Sequence, residues 1–211
     1  MIKIIFSLTA VSFLCFAGSM NAQKVEQLFN GKDLSNWNFV IDRNAGSADK
    51  VFSVRDSLIH IKGTLGYMYT KKKYSNYALH VEWRWPAEAT NSGIFVLIEE
   101  PKNPFPNGIE CQLSAGNAGD LVLLGGSNLN EYKAPAEGRP AFPVLKKANP
   151  SSEKPAGEWN NANIFVRDGV IDVIINGVHQ NTATDKVKSG HIGLQSEGKD
   201  IQFKNITITD L

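Results

Sequence analysis

Apolar and polar side chains alternate through most of this 211-residue chain. In YALHVEWRW, Leu79, Val81, Trp83 and Trp85 fall on one side and His80, Glu82 and Arg84 on the other, the period of two expected of a half-buried strand. GIECQLS behaves the same way: Ile109, Cys111 and Leu113 point one way, Glu110 and Gln112 the other. VFSVRDSLIHIKG alternates around an Arg55-Asp56-Ser57 turn, and NIFVRDGVIDVIING around Asp168-Gly169, so both predict hairpins. GHIGLQSEG and IQFKNITITDL predict two more strands joined by a Gly198-Lys199-Asp200 turn. Helical periodicity is interrupted everywhere by Gly, Pro or β-branched residues. The pattern predicts an all-β domain with about a dozen strands in two packed sheets.

Eight of the nine prolines lie between Pro101 and Pro155, which marks two long connections. EEPKNPFPNG leads into the Gly108 strand, and the second connection runs from about Ala115 to Gly157. Loops this long inside a compact domain commonly carry function, and these are expected to form ordered walls of a cleft.

The N-terminus departs from the strand pattern. Lys3, an apolar run from Ile4 to Phe16 and small or polar residues ending at Ala22 predict a signal peptide over residues 1–22 and a single domain over residues 23–211. Leu14 is too large to precede a lipidated cysteine at Cys15. No later run approaches the roughly 20 apolar residues of a membrane helix, so the expectation is an exported protein, periplasmic or secreted, with no membrane anchor. Losing Lys3 would leave 21 basic residues against 21 acidic ones. A balanced charge gives no electrostatic reason to expect nucleic acid as a partner. The Lys71 to Lys73 run reads as a solvated turn, and Cys111, the one cysteine after processing, as a core thiol.

Candidate chemistry lies on the polar faces of two strands. If YALHVEWRW and GIECQLS are neighbours in one sheet, His80, Glu82, Arg84, Glu110 and Gln112 share a surface. The pattern alone fits a ligand cleft and a plain solvent-facing sheet equally well.

Seven short motifs occur together in order: LFNGKDLSNW from Leu28, NSGIF from Asn91, Glu110 with Gln112, GEWN from Gly157, ING from Ile175, GHIGLQ from Gly190 and FKNI from Phe203. In these the chain resembles the 3-keto-disaccharide hydrolase family, formerly the domain of unknown function 1080, over essentially all of residues 23–211. The resemblance implies a concanavalin A-like jelly-roll sandwich of two curved antiparallel sheets, with a sugar cleft on the concave face that includes the Glu110 strand. It implies a carbohydrate substrate, small molecule or oligosaccharide, of the 3-keto-glycoside class, and in some members a divalent metal. The sequence departs from the family pattern at Val96 and Leu97, where an aromatic and an arginine are common, at Ala115 for an aspartate, and at Val173 and Ile174 for a histidine and tryptophan.

A ketone at C3 of a sugar acidifies the C2 proton, so cleavage by elimination needs a base and a group that polarises the ketone. Glu110 is the first choice as base and His80 the second. Arg84, or a metal held by His80, Glu82 and Glu110, would polarise the ketone. Gln112, Arg84, Asn91, Trp159 and Gln195 are the candidate substrate-binding residues. Besides an exported structural domain with no small ligand, two alternatives stay open. One is a two-carboxylate glycosidase using Glu82 and Glu110. The other is a non-catalytic carbohydrate-binding module with Trp159, Phe105 and Phe142 as its platform.

Overall fold

In the computed structural model residues 24–211 are described, and the leader predicted over residues 1–22 lies outside them. The strands in chain order are β1 (Val25–Gln27), β2 (Trp37–Ile41), β3 (Phe52–Arg55), β4 (Leu58–Ile61), β5 (Gly66–Thr70), β6 (Tyr77–Arg84), β7 (Gly93–Ile98) and β8 (Gly108–Gln112). They continue with β9 (Leu121–Leu124), β10 (Val144–Leu145), β11 (Asn160–Arg167), β12 (Val170–Ile175), β13 (Val178–Thr184), β14 (His191–Ser196) and β15 (Ile201–Asp210). A 3-10 turn at Arg43–Ala45 and a one-turn helix, α1 (Ala48–Val51), precede β3.

One sheet has the order β13-β12-β11-β6-β15-β4-β3, with β1 also paired to β15, and the other the order β10-β9-β8-β7-β14-β5-β2. The pairings are antiparallel. The first and last strands therefore meet, with Val25 opposite Thr209. Three hairpins turn on two residues in left-handed backbone: Asp56 and Ser57, Asp168 and Gly169, Asn176 and Gly177. These turns match the right-handed twist of the strands they join. The predicted turn at Gly198-Lys199-Asp200 has a different role, because it carries the chain from β14 in the second sheet to β15 in the first.

The apolar faces of both sheets meet in one core containing Leu79, Val81, Trp83 and Trp85 of β6 and its extension, and Ile109, Cys111 and Leu113 of β8 and its extension. Trp37 is buried there too, its indole N–H donating to the Leu28 carbonyl at 3.0 Å. A second, smaller apolar cluster lies on the outer face of the second sheet, formed by Tyr67, Phe95, Ile98, Val122 and Leu124 with Phe105 and Val144 against it. Leu97 links the two clusters. Its φ of +56° coincides with a register slip between β7 and β14, so Val96 and Leu97 both enter the main core and Ile98 emerges on the outer face. The position where the family resemblance puts an arginine is thus held by a core leucine in this chain.

Strand alternation and the resulting core make Cys111 inaccessible, with 0 % of its surface exposed, and burial pushes its thiol pKa far up. A bulky thiol reagent should leave the native protein unlabelled and react only on unfolding. Cys111→Ser should destabilise the fold by about 1–3 kcal/mol in denaturant melts, because the hydroxyl enters an apolar layer.

Candidate functional site

The outer face of the second sheet holds an open cleft of about 230 Å³. Its polar side is made by Asn91, Glu110, Gln112, Gln195 and Glu197, and its apolar side by Phe105, Val122, Leu124, Phe142 and Val144. Both proline-rich connections supply walls, Phe105 from the first and Phe142 from the second, with ring centroids 4.8 Å apart.

Glu110 is central to the polar side. Antiparallel register places it opposite Phe95 on β7 and Val122 on β9, and puts Gln112 opposite Gly93. Its side chain lies across the bare backbone of Gly93: a Cβ there would stand 2.6 Å from Glu110 Cγ and 2.7 Å from the carboxyl carbon. Only glycine leaves that space. The Glu110 residue is 3 % exposed, and its Oε1 has no hydrogen-bond partner in the protein. Burial, and secondarily the charge of Glu197, pushes the Glu110 carboxyl well above the usual carboxylate range. Glu197 is raised as well, by its own burial, against the lowering effect of hydrogen bonds from Asn91 and Gln195. The Gln195 amide donates to Glu197 Oε2 at 2.7 Å.

Other groups have polar atoms to offer. Asn91 Oδ1, Gln195 Oε1 and the Tyr67 hydroxyl are buried without partners, and Tyr67 stands directly opposite Gln195 on β5. Gln112 Oε1 accepts from the backbone N–H groups of Leu113 and Ser114, at 3.1 and 3.0 Å, so its amide nitrogen is the end it can present to a ligand. Buried polar groups in folded proteins are ordinarily satisfied, so the Asn91 and Gln195 oxygens in the cleft are acceptors open to water or a polar ligand.

The predicted site residues divide between two surfaces. Glu110, Gln112, Asn91 and Gln195 come together here, whereas His80, Glu82, Arg84 and Trp159 do not join them. The reason is that β6 belongs to the first sheet and β8 to the second, and each turns its apolar side inward, so their polar faces point away from each other across the sandwich. The surface imagined for His80, Glu82, Arg84, Glu110 and Gln112 is therefore corrected to two.

On the far side, Trp159 lies under Arg84 and Lys204, at 4.8 and 4.2 Å from its ring centroid. Arg84 Nε donates to Gln202 at 2.6 Å. His80 Nδ1 is 2.8 Å from Asn163 Oδ1, and its Nε2 is 3.6 Å from Glu82. Glu82 is held below its usual pKa: burial opposes this, but a hydrogen bond from Asn205 and the Lys204 charge outweigh it. The arrangement is an ion-pair and stacking network. The metal set of His80, Glu82 and Glu110 does not fit the fold, because its members stand on opposite faces, and among the described residues no group of three or more His, Cys, Asp or Glu side chains is placed to hold a metal ion.

Glu197 lines the cleft although the sequence pattern did not single it out. A signal for Glu197 is present, since Gln195-Ser196-Glu197 mirrors the two-residue spacing of Glu110-Cys111-Gln112. Among the described residues no helix is long and apolar enough to cross a membrane.

Two antiparallel sheets packed face to face, with a cleft on one outer face, define a concanavalin A-like jelly roll of the kind found in carbohydrate-active proteins. Solved structures share it. A candidate glycosyl hydrolase of Parabacteroides distasonis superposes with a TM-score of 0.64 at 24% identity over 89% of this chain and 100% of its own. A carbohydrate-binding module of Bacillus subtilis superposes with a TM-score of 0.58 at 8% identity, over 83% of this chain and 96% of the module. Among curated proteins, a 3-keto-disaccharide hydrolase of Bacteroides thetaiotaomicron is 24% identical over 86% of this chain and 76% of its own length. The model of the 3-keto-α-glucoside-1,2-lyase-like domain matches residues 24–209, and the chain belongs to that family.

The raised Glu110 carboxyl makes stability depend on pH. Its folded pKa lies above the ordinary 4.5, so its contribution to stability is fully present below about pH 4.5 and is lost as pH rises through the folded value. Glu110→Gln, neutral at every pH, should melt close to wild type at pH 4 and above it at pH 8. Each kcal/mol of relief corresponds to roughly 2–4 °C in Tm for a domain of this size. Calorimetric melts across that range check it.

Proposed function

We propose that this chain is an exported enzyme that cleaves 3-keto-glycosides in the cleft of its second sheet, with Glu110 as the base. The observation that carries this reading is a nearly inaccessible carboxyl held over Gly93 beside a second carboxyl. Sequestering such a group is unfavourable, and a simple sugar-binding surface has no use for it. The family membership and the Bacteroides thetaiotaomicron relative support the substrate class. The charged and apolar arrangement of residues 3–22 supports export.

In this reading Glu110 takes the proton from C2 of the sugar. The C–H electron pair becomes the C1–C2 double bond, conjugated with the C3 ketone, while the C1–O bond breaks and its electrons leave with the departing oxygen. That oxygen takes a proton from a water molecule in the open cleft, and the Glu197 charge beside Glu110 makes Glu110 the stronger base. Water then adds across the double bond to give the free 3-keto sugar. The amide nitrogen of Gln112 is the cleft donor available to the enolate oxygen. A conventional glycosidase would use two carboxyls, and Glu197 replaces Glu82 as the partner of Glu110 in that case.

The two reactions differ at C2. In deuterated water, elimination and rehydration should deliver deuterium to C2 of the product, whereas direct hydrolysis leaves C2 untouched and also accepts unoxidised glucosides. Turnover should rise with pH as Glu110 ionises. Glu110→Gln should lower it by about 10² to 10⁴-fold while the protein stays folded. Gln112→Ala should weaken substrate binding by about 0.5–1.5 kcal/mol. Unchanged turnover in Glu110→Gln would remove Glu110 from the mechanism.

A further inference from the structure

We infer that the apolar half of the cleft receives an aromatic leaving group, so that the glycosides this chain fits best are aryl glycosides and not disaccharides. The inference rests on reading the cleft as a glycoside site and adds which glycosides enter it.

The cleft is sharply divided. From Glu110 outward to the sheet edge, register sets Val122 beside Glu110 and Val144 beside Val122. Facing side chains on neighbouring strands lie about 4.5–5.5 Å apart at Cβ, so the apolar wall begins one side chain away from the carboxyl. Leu124 continues the wall along β9, and Phe105 and Phe142 close it from the loops with their rings tilted at 60°. In the other direction, Glu110 lies over Gly93 toward Asn91, Gln195 and Glu197, where all the unpartnered amide oxygens of the cleft are found.

A bound glycoside has two parts joined at the atom where the bond breaks. Its sugar, with hydroxyls all round, matches the polar side. The part beyond the breaking bond then crosses Glu110 onto Val122, Val144 and the two phenylalanines. None of those side chains can donate or accept a hydrogen bond, so a second sugar there would lose the hydration of its hydroxyls without replacement. An aromatic ring loses nothing comparable and gains the faces of Phe105 and Phe142. Phe142 is 47 % exposed, so its ring is accessible to a group that enters the cleft.

The test is titration calorimetry of the full protein carrying Glu110→Gln, which slows turnover by the factor given above, with the 3-keto forms of methyl glucoside, phenyl glucoside and cellobiose. Phenyl should bind about ten-fold or more tighter than methyl, from the apolar area covered, and cellobiose no tighter than methyl. Phe142→Ala on the same background should bring the phenyl-to-methyl ratio most of the way to one. Phe142 is a surface residue, so its replacement leaves the core intact. Equal affinity for the three sugars, tighter binding of cellobiose, or no binding of the phenyl sugar would overturn the inference. Turnover by the wild type reports separately: cleavage of the cellobiose derivative as fast as the phenyl one would retain the proposed reaction and discard the aryl preference. A phenyl preference without cleavage would do the reverse.

Discussion

A strand in a two-sheet sandwich has one face in the core, and its other face must lie on one of two surfaces that never meet. The placement of the polar residues of β6 and β8 follows from that constraint. The eight residues of β6 and the five of β8 both turn tryptophan, aliphatic or thiol side chains inward. Their polar residues are therefore displayed on opposite sides, one as an ion-pair network around Trp159 and one as a cleft around Glu110.

The second sheet departs from the usual apolar-in, polar-out arrangement. Its outer face carries a buried apolar cluster of its own, with Tyr67, Phe95, Ile98, Val122 and Leu124 packed against Phe105 and Val144 from the two long connections and Val40 and Tyr69 from β2 and β5. The bulge at Leu97 contributes Ile98 to that cluster while keeping Leu97 in the main core, at a backbone cost of roughly 1–2 kcal/mol for a non-glycine residue in left-handed conformation. That cover makes the surroundings of Glu110 poor in water. Low polarity around it raises its pKa and strengthens any interaction it makes with a bound ligand.

The site is held by backbone geometry as much as by side chains. Gly93 provides the opening in which the Glu110 carboxyl lies, and Gln195 and Asn91 direct their amide N–H groups to Glu197, leaving their oxygens unpartnered. A network this incomplete is unfavourable in a free protein. Its unpartnered oxygens are acceptors that water or a hydroxyl-bearing ligand can satisfy.

The sequence by itself determined which residues alternate, and through that the strands, the hairpin turns at Asp56-Ser57 and Asp168-Gly169, the inward placement of Cys111 and the pairing of Glu110 with Gln112 on one face. These are local properties, fixed by the two-residue period of a strand and by the few residues that accept left-handed backbone. The motifs carried the family, and the prolines located the loops that wall the cleft. Only the tertiary structure decided which sheet each strand joins, because alternation distinguishes the two faces of a strand but contains nothing about its neighbours. That is why His80, Glu82, Arg84 and Trp159 separated from Glu110, and why Glu197, beyond the end of β14 and some 87 positions along the chain from Glu110, became its companion. Pairing between strands so distant in sequence is set by the packing of whole sheets, and no short stretch of residues encodes it.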